Sequence, residues 1–151
     1  MLDASRNSGQ ASMFRHISIL MGSALAIGVA PCWAAAPDRD LVSAIENAVR
    51  LPPHSQPVAD YDRYYAMDTI SGRPVVVGLY LATTITDQRE RHHRGDASFW
   101  EGGPKRAGRL HILDRKSDLP GEIADGGCEE VHVYWDITSS SVAGVFCNGL
   151  G

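Results

Sequence analysis

Hydrophobic and polar positions alternate most cleanly near the end of this chain. From Glu129 to Ile137, the residues Val131, Val133, Trp135 and Ile137 fall on one side and Glu130, His132, Tyr134 and Asp136 on the other, the period of a half-buried strand. Val75 to Ala82 alternates the same way through Val75, Val77, Leu79 and Leu81, and Tyr61 to Ile70 before it is a further strand. Ser71-Gly72-Arg73-Pro74 has turn chemistry, so these two runs are predicted to form a hairpin. Arg109 to Asp114 gives a short third strand, and Val142 to Cys147 follows a turn at Thr138 to Ser140 as the last one. Before all of these the spacing is helical. Leu41, Ile45, Ala48 and Val49 recur on one face of Asp38 to Arg50, Asp38 can cap the first turn, and Leu51-Pro52-Pro53 stops it.

These elements predict an α+β fold, with one N-terminal amphipathic helix packed on an antiparallel sheet of about five strands, so that both apolar surfaces are buried. Pro52 to Ala59 reads as a polar surface connector. Thr83 to Gly108 reads as a long polar loop carrying Arg89, Arg91, His92, His93, Arg94 and Gly102-Gly103-Pro104. Loops of that length are uncommon in compact domains and are usually functional or disordered.

The first third changes the picture. Phe14-Arg15-His16 leads into the apolar run Ile17 to Ala30 and a small-residue exit through Ala34-Ala35-Ala36, the build of a secretory signal peptide. The run is short for a membrane crossing, which needs about 20 apolar residues, and Pro31 interrupts it. Met13 is an alternative start. Two cuts satisfy the pattern, after Ala34 and after Ala36, and the first avoids leaving Pro37 at the new terminus. The expected organisation is a signal peptide over residues 1–34 and a single small domain over residues 35–151. A retained anchor and a lipoprotein acylated at Cys32 are the competing readings. Export to the periplasm or the medium follows, with no stable membrane span after processing.

Removing Arg6, Arg15 and Asp3 with that segment takes the formal charge from −4 to −5, so no basic field invites nucleic acid. It also removes Cys32 and leaves Cys128 and Cys147, an even pair that reads as one disulfide in an oxidising compartment. Closing a loop of about 20 residues stabilises a fold by roughly 3 kcal/mol. The register is a test of this pairing. If Thr138 faced Ser141 across the last turn, Cys147 would sit opposite His132, too far from Cys128 to bridge. Either the register shifts, or Asp125-Gly126-Gly127 folds back.

Candidate chemistry is sparse. Cys128 with His132 or His111 as base has the parts of a thiol nucleophile, provided that it is not oxidised. His92 and His93, with His54, His111 and His132 elsewhere, are imidazoles of the kind that bind zinc or copper, although the neighbouring Arg89, Arg91 and Arg94 oppose a cation there. Glu130, His132 and Asp136 share a strand face as an acid–base group would. Phe99 and Trp100 are aromatic residues in a polar loop, which either dock on the domain or meet a partner. No coherent catalytic set, resident metal site or cofactor motif is assigned.

Tyr61-Asp62-Arg63-Tyr64-Tyr65, Leu119-Pro120-Gly121, Asp125-Gly126-Gly127-Cys128, Tyr134-Trp135-Asp136 and Cys147-Asn148-Gly149 together resemble a group of small exported bacterial proteins of unknown function. The resemblance spans Tyr61 to Gly149 and implies a family fold and a paired Cys128 and Cys147, but no activity. The function expected is a non-enzymatic binding or structural protein of the envelope or medium, with an unidentified protein or envelope partner. The alternatives are a periplasmic metal-binding protein using His92 and His93, and a thiol-dependent hydrolase using Cys128. An open sheet edge allows a homodimer.

Overall fold

The computed structural model describes residues 35–100 and 106–149; the segment read as a signal peptide, with Cys32, lies outside them. Asp38 accepts a hydrogen bond from the Leu41 amide at 2.7 Å and opens α1 (Arg39–Ala48). Val42, Ile45 and then Val49 form its buried stripe. After a 3₁₀ turn at Val58–Asp60, β1 (Tyr61–Ile70) pairs with β2 (Arg73–Ala82) through a two-residue turn. Ser71 (φ 51°) and Gly72 (φ 78°) both take the left-handed conformation that so tight a hairpin needs. Arg73 and Pro74 therefore belong to β2 rather than to the turn.

The stretch expected as a loop from Thr83 to Gly108 begins instead as a helix, α2 (Thr83–His93), with a 3₁₀ turn at Ala97–Trp100. Only Ile85 among the residues of α2 is a large apolar side chain, so helical periodicity had nothing to act on. The chain comes back to the end of the sheet it left, where the Gly108 amide donates to Ala59 O at 2.7 Å. A Cβ at Gly108 would lie 1.7 Å from Tyr61 O, so only glycine permits this approach.

Re-entry at that end has a topological consequence. β3 (Leu110–Ile112) runs parallel to β1, whereas β4 (Gly127–Asp136) and β5 (Ser141–Asn148) are antiparallel to their neighbours. The sheet has five strands in the order β3-β1-β2-β4-β5, and it is mixed rather than wholly antiparallel. To lie antiparallel to β1, β3 would have to enter from the Ile70 end.

The α+β class and the Cys128–Cys147 disulfide match expectation. Both proposed routes to the bridge operate. Asp136 faces Ser141, a bulge intervenes, and Cys147 falls opposite Val131. Asp125 (φ 56°) and Gly127 (φ 50°) turn the chain back, bringing the two cysteine Cα atoms to 4.6 Å.

One sheet face carries Tyr61, Tyr65, Val76, Tyr80, Val131, Val133 and Trp135, packed with Val42, Ile45 and Val49 of the helix as the main core. Its tyrosine hydroxyls are paired, whereas Trp135 Nε1 is buried without a hydrogen-bond partner: the Tyr65 and Tyr80 hydroxyls lie 2.5 Å apart, and Tyr61 donates to Cys128 O and accepts from the Gln56 amide. Burial pushes the Tyr80 phenol up to about 12 and Tyr65 further in the same direction. The opposite face carries Asp62, Tyr64, Val77, Leu79, Glu130, His132, Tyr134 and Phe146. Residues Leu113 to Gly126 connect β3 to β4 and pass over it as a strap.

Candidate functional site

The strap and the second face enclose a groove. Val77 and Leu79 of β2 and His132 and Tyr134 of β4 form its floor, Lys116 and residues Leu119 to Glu122 form its wall, and the space measures about 260 Å³. Pro120 and Gly121 suit the wall because a strap over a sheet makes no ladder of its own. Lys116 ties the strap to β1 through Asp68 at 2.6 Å, a contact that raises the lysine and holds the aspartate below its ordinary value against the opposing effect of burial.

Glu130, two residues before His132 on the same face of β4, is fully buried behind this lining. The Ile123 amide donates to its Oε2 at 2.8 Å, Asn148 Nδ2 to its Oε1 at 3.0 Å, and His132 Nε2 lies 2.9 Å from the same Oε1. Asn148 also donates to Ile123 O at 2.7 Å, which closes a ring between β5, the strap and β4. Each partner arrives by a different route, and the backward turn at Asp125–Gly127 is what brings the strap to Glu130. His132 stacks on Phe146 with ring centroids 5.4 Å apart, and Tyr134 also stacks on Phe146, at 5.7 Å.

The carboxylate fixes the imidazole by one nitrogen, leaving Nδ1 for a ligand or a proton. Aliphatic and aromatic surface around it accepts an apolar body, so the groove has the composition of a small-ligand or side-chain pocket. Asp136, expected on the same face, is engaged elsewhere: it pairs with Arg73 and accepts from the Thr138 and Ser139 amides at the last turn. Those amides, with Arg73 beside them, hold its carboxyl below the usual range.

A second polar cluster lies across the same face on β1, where Asp62 faces Leu81 of β2 and Leu81 in turn faces Glu130. Asp62, 1% exposed, accepts two hydrogen bonds from Arg106, at 2.8 and 2.6 Å, and one from the Arg109 amide at 2.7 Å. Arg106 also reaches Asp87 of α2 at 2.8 Å. Burial pushes the Asp62 carboxyl up, but Arg106 and the Arg109 amide more than offset it and hold it below its ordinary value. This cluster pins α2 to β1. Sequence reading missed it because its members lie up to 44 residues apart.

The other candidates fall apart in space or out of view. His92 and His93 sit on the exposed last turn of α2 with rings 6.1 Å apart, His111 stacks on Tyr64 at 4.5 Å, and His54 lies in the proline-rich connector. Among the described residues no group of three or more His, Cys, Asp or Glu side chains could hold a metal ion. Phe99 and Trp100 end the 3₁₀ turn at Ala97–Trp100, and their side chains lie outside the described set. Cys128 is bonded to Cys147 and so has no thiolate, which removes the nucleophile of the hydrolase alternative.

No family model matches this chain, and neither a curated protein nor a solved structure matches it.

Proposed function

We propose that the protein is an exported binding domain, stapled by the Cys128–Cys147 disulfide, whose ligand site is the groove between the strap and the second sheet face. The ligand fitted to it has an apolar body that lies on Val77, Leu79 and Tyr134 and a polar head that meets His132. The observation that carries this reading is the buried Glu130 behind His132. A carboxylate is costly to bury, and among the described residues this one has no arginine or lysine partner: the Ile123 amide and Asn148 hold it, and it in turn aims the His132 imidazole into the groove. The disulfide supports an oxidising compartment, as do the basic start, apolar run and small-residue exit of residues 1–34 and the resemblance to small exported bacterial proteins. Among the described residues no helix is long and apolar enough to cross a membrane.

The test is a titration of isotope-labelled protein recovered from expressing cells with phenol, indole-3-acetate and hexanoate at millimolar concentration, followed through backbone amide shifts. At least one probe is expected to move the amides of Leu79, Glu122, His132 and Tyr134 together and saturably, and His132→Ala is expected to weaken that binding about tenfold, the effect of losing one good polar contact. Silence from all three probes, or equal binding to the variant, overturns the reading.

A further inference from the structure

The sheet ends in two very different edges. β3 pairs with β1 at three positions and is flanked by Arg109, Asp114 and Arg115, the short, charged edge that resists further pairing. β5 is eight residues long, and Ser-Val-Ala-Gly-Val-Phe-Cys-Asn contains no charge and no proline. Phe146 on it is 49% exposed, the most exposed large apolar side chain among the described residues. A bulge at Ala143 disturbs one end, but Gly144 to Cys147 pair in unbroken register with Tyr134 to Val131.

The direction of the open backbone groups follows from the ladders. Ile137 donates to Pro74 O, which makes the odd-numbered residues of β4 the ones bonded to β2. His132 and Tyr134 then point their backbone groups at Phe146 and Gly144, and Val145 and Cys147 present theirs to the free edge. We propose that a second copy of this chain pairs with this edge, antiparallel, with Val145 opposite the partner's Val145. Val145 then exchanges both of its hydrogen bonds with its symmetry mate, and Phe146 comes opposite the partner's Gly144.

That register is self-complementary in shape as well as in hydrogen bonding. A Cβ placed on Gly144 would make one ordinary contact, with Cε1 of the same chain's Phe146 at 4.0 Å, and nothing else comes within that distance, which leaves space on the side away from that ring. The space belongs to a shallow, mainly aliphatic and aromatic hollow of about 510 Å³ beside Val75, Tyr134 and Phe146. An aromatic ring laid across a strand glycine is a known means of stabilising such a pair, and here each copy supplies one ring and one glycine. With no charge on either strand, self-pairing meets no like-charge repulsion within the ladder. Tyr134 borders both this hollow and the groove, so the partner's Phe146 walls one end of the groove.

Sedimentation equilibrium of the disulfide-bonded protein, from about 1 μM to about 1 mM, tests the pairing alongside amide hydrogen exchange, the range covering an interface this small. The expected result is a reversible dimer, with exchange at the Val145 and Cys147 amides slowing as dimer forms. Gly144→Val fills the space that the partner's ring needs and suits a strand, so it is expected to weaken the dimer at least tenfold without lowering the melting temperature. Phe146→Lys is expected to weaken it to a similar degree. A monomer throughout the range overturns the proposal, as does a dimer that both variants form equally well with those two amides unprotected. Capture of a different extended peptide by a chain that stays monomeric also overturns it.

Discussion

The two faces of the sheet solve opposite problems. The face under α1 is filled with tyrosine, valine and tryptophan, and its hydroxyls pair among themselves or with backbone, so that it excludes water and stabilises the fold. The opposite face buries three carboxylates, Asp62, Glu130 and Asp136, and the strap over it leaves space above His132. A protein that needed only stability would be expected to fill that space with apolar side chains. On the reading proposed above, stability lies on one face and recognition on the other, and substitutions on each face should separate the two.

The largest effect is expected under α1. Ile45 is fully buried at the centre of the helix stripe, and Ile45→Ala removes apolar contact without creating a polar mismatch. Its cost is expected at about 3 kcal/mol by urea unfolding, with binding in the groove unchanged in the folded fraction. A loss below about 1 kcal/mol would mean that the helix contributes little to this core.

Asp62→Asn comes next, at about 2 kcal/mol, because it breaks the bidentate pair with Arg106 while Arg106 keeps part of its solvent contact, being 21% exposed. Here the pH dependence has a definite sign. The folded Asp62 carboxyl is held below its ordinary value, so its contribution is complete above the unfolded aspartate value of about 3.9 and is lost as pH falls through the folded value. The stability gap between the natural protein and Asp62→Asn should therefore be full near neutrality and close progressively in acid. A gap that stays constant into strong acid would show that the pair contributes packing rather than charge.

What the sequence disclosed follows the same division. The alternation from Glu129 to Ile137 placed Val131, Val133 and Trp135 on one side and Glu130, His132 and Tyr134 on the other, because a strand's period is written directly in its side chains. The cysteine pair was legible from the count and the signal-like first third, and the mixed sheet was not. Strand direction for β3 depends on where the chain re-enters, and that is set by α2, whose polar surface shows no helical period. The Asp62–Arg106–Asp87 cluster and the contacts of Asn148 and Ile123 with Glu130 join residues distant in sequence through the excursion and the strap, so no local pattern announced them. Glu130 and His132 were visible as same-face neighbours, but an exposed strand face looks alike whether or not a strap later covers it.

The smallest stability effect is expected where the functional effect is largest. His132→Ala removes one hydrogen bond to Glu130 and the stack on Phe146, yet the Ile123 amide and Asn148 still satisfy the carboxylate. The cost is therefore expected at about 1 kcal/mol, a shift of about 4 °C in melting temperature. Glu130→Gln is the sharper companion, since the amide keeps the shape of the carboxylate but turns an N–H towards a donor already aimed at it. If His132 is held in place chiefly by Glu130, the two substitutions should be non-additive in stability by 0.5 kcal/mol or more. Additive costs, or a loss from His132→Ala as large as that from Ile45→Ala, would make the histidine an ordinary core residue and the strapped face a second core.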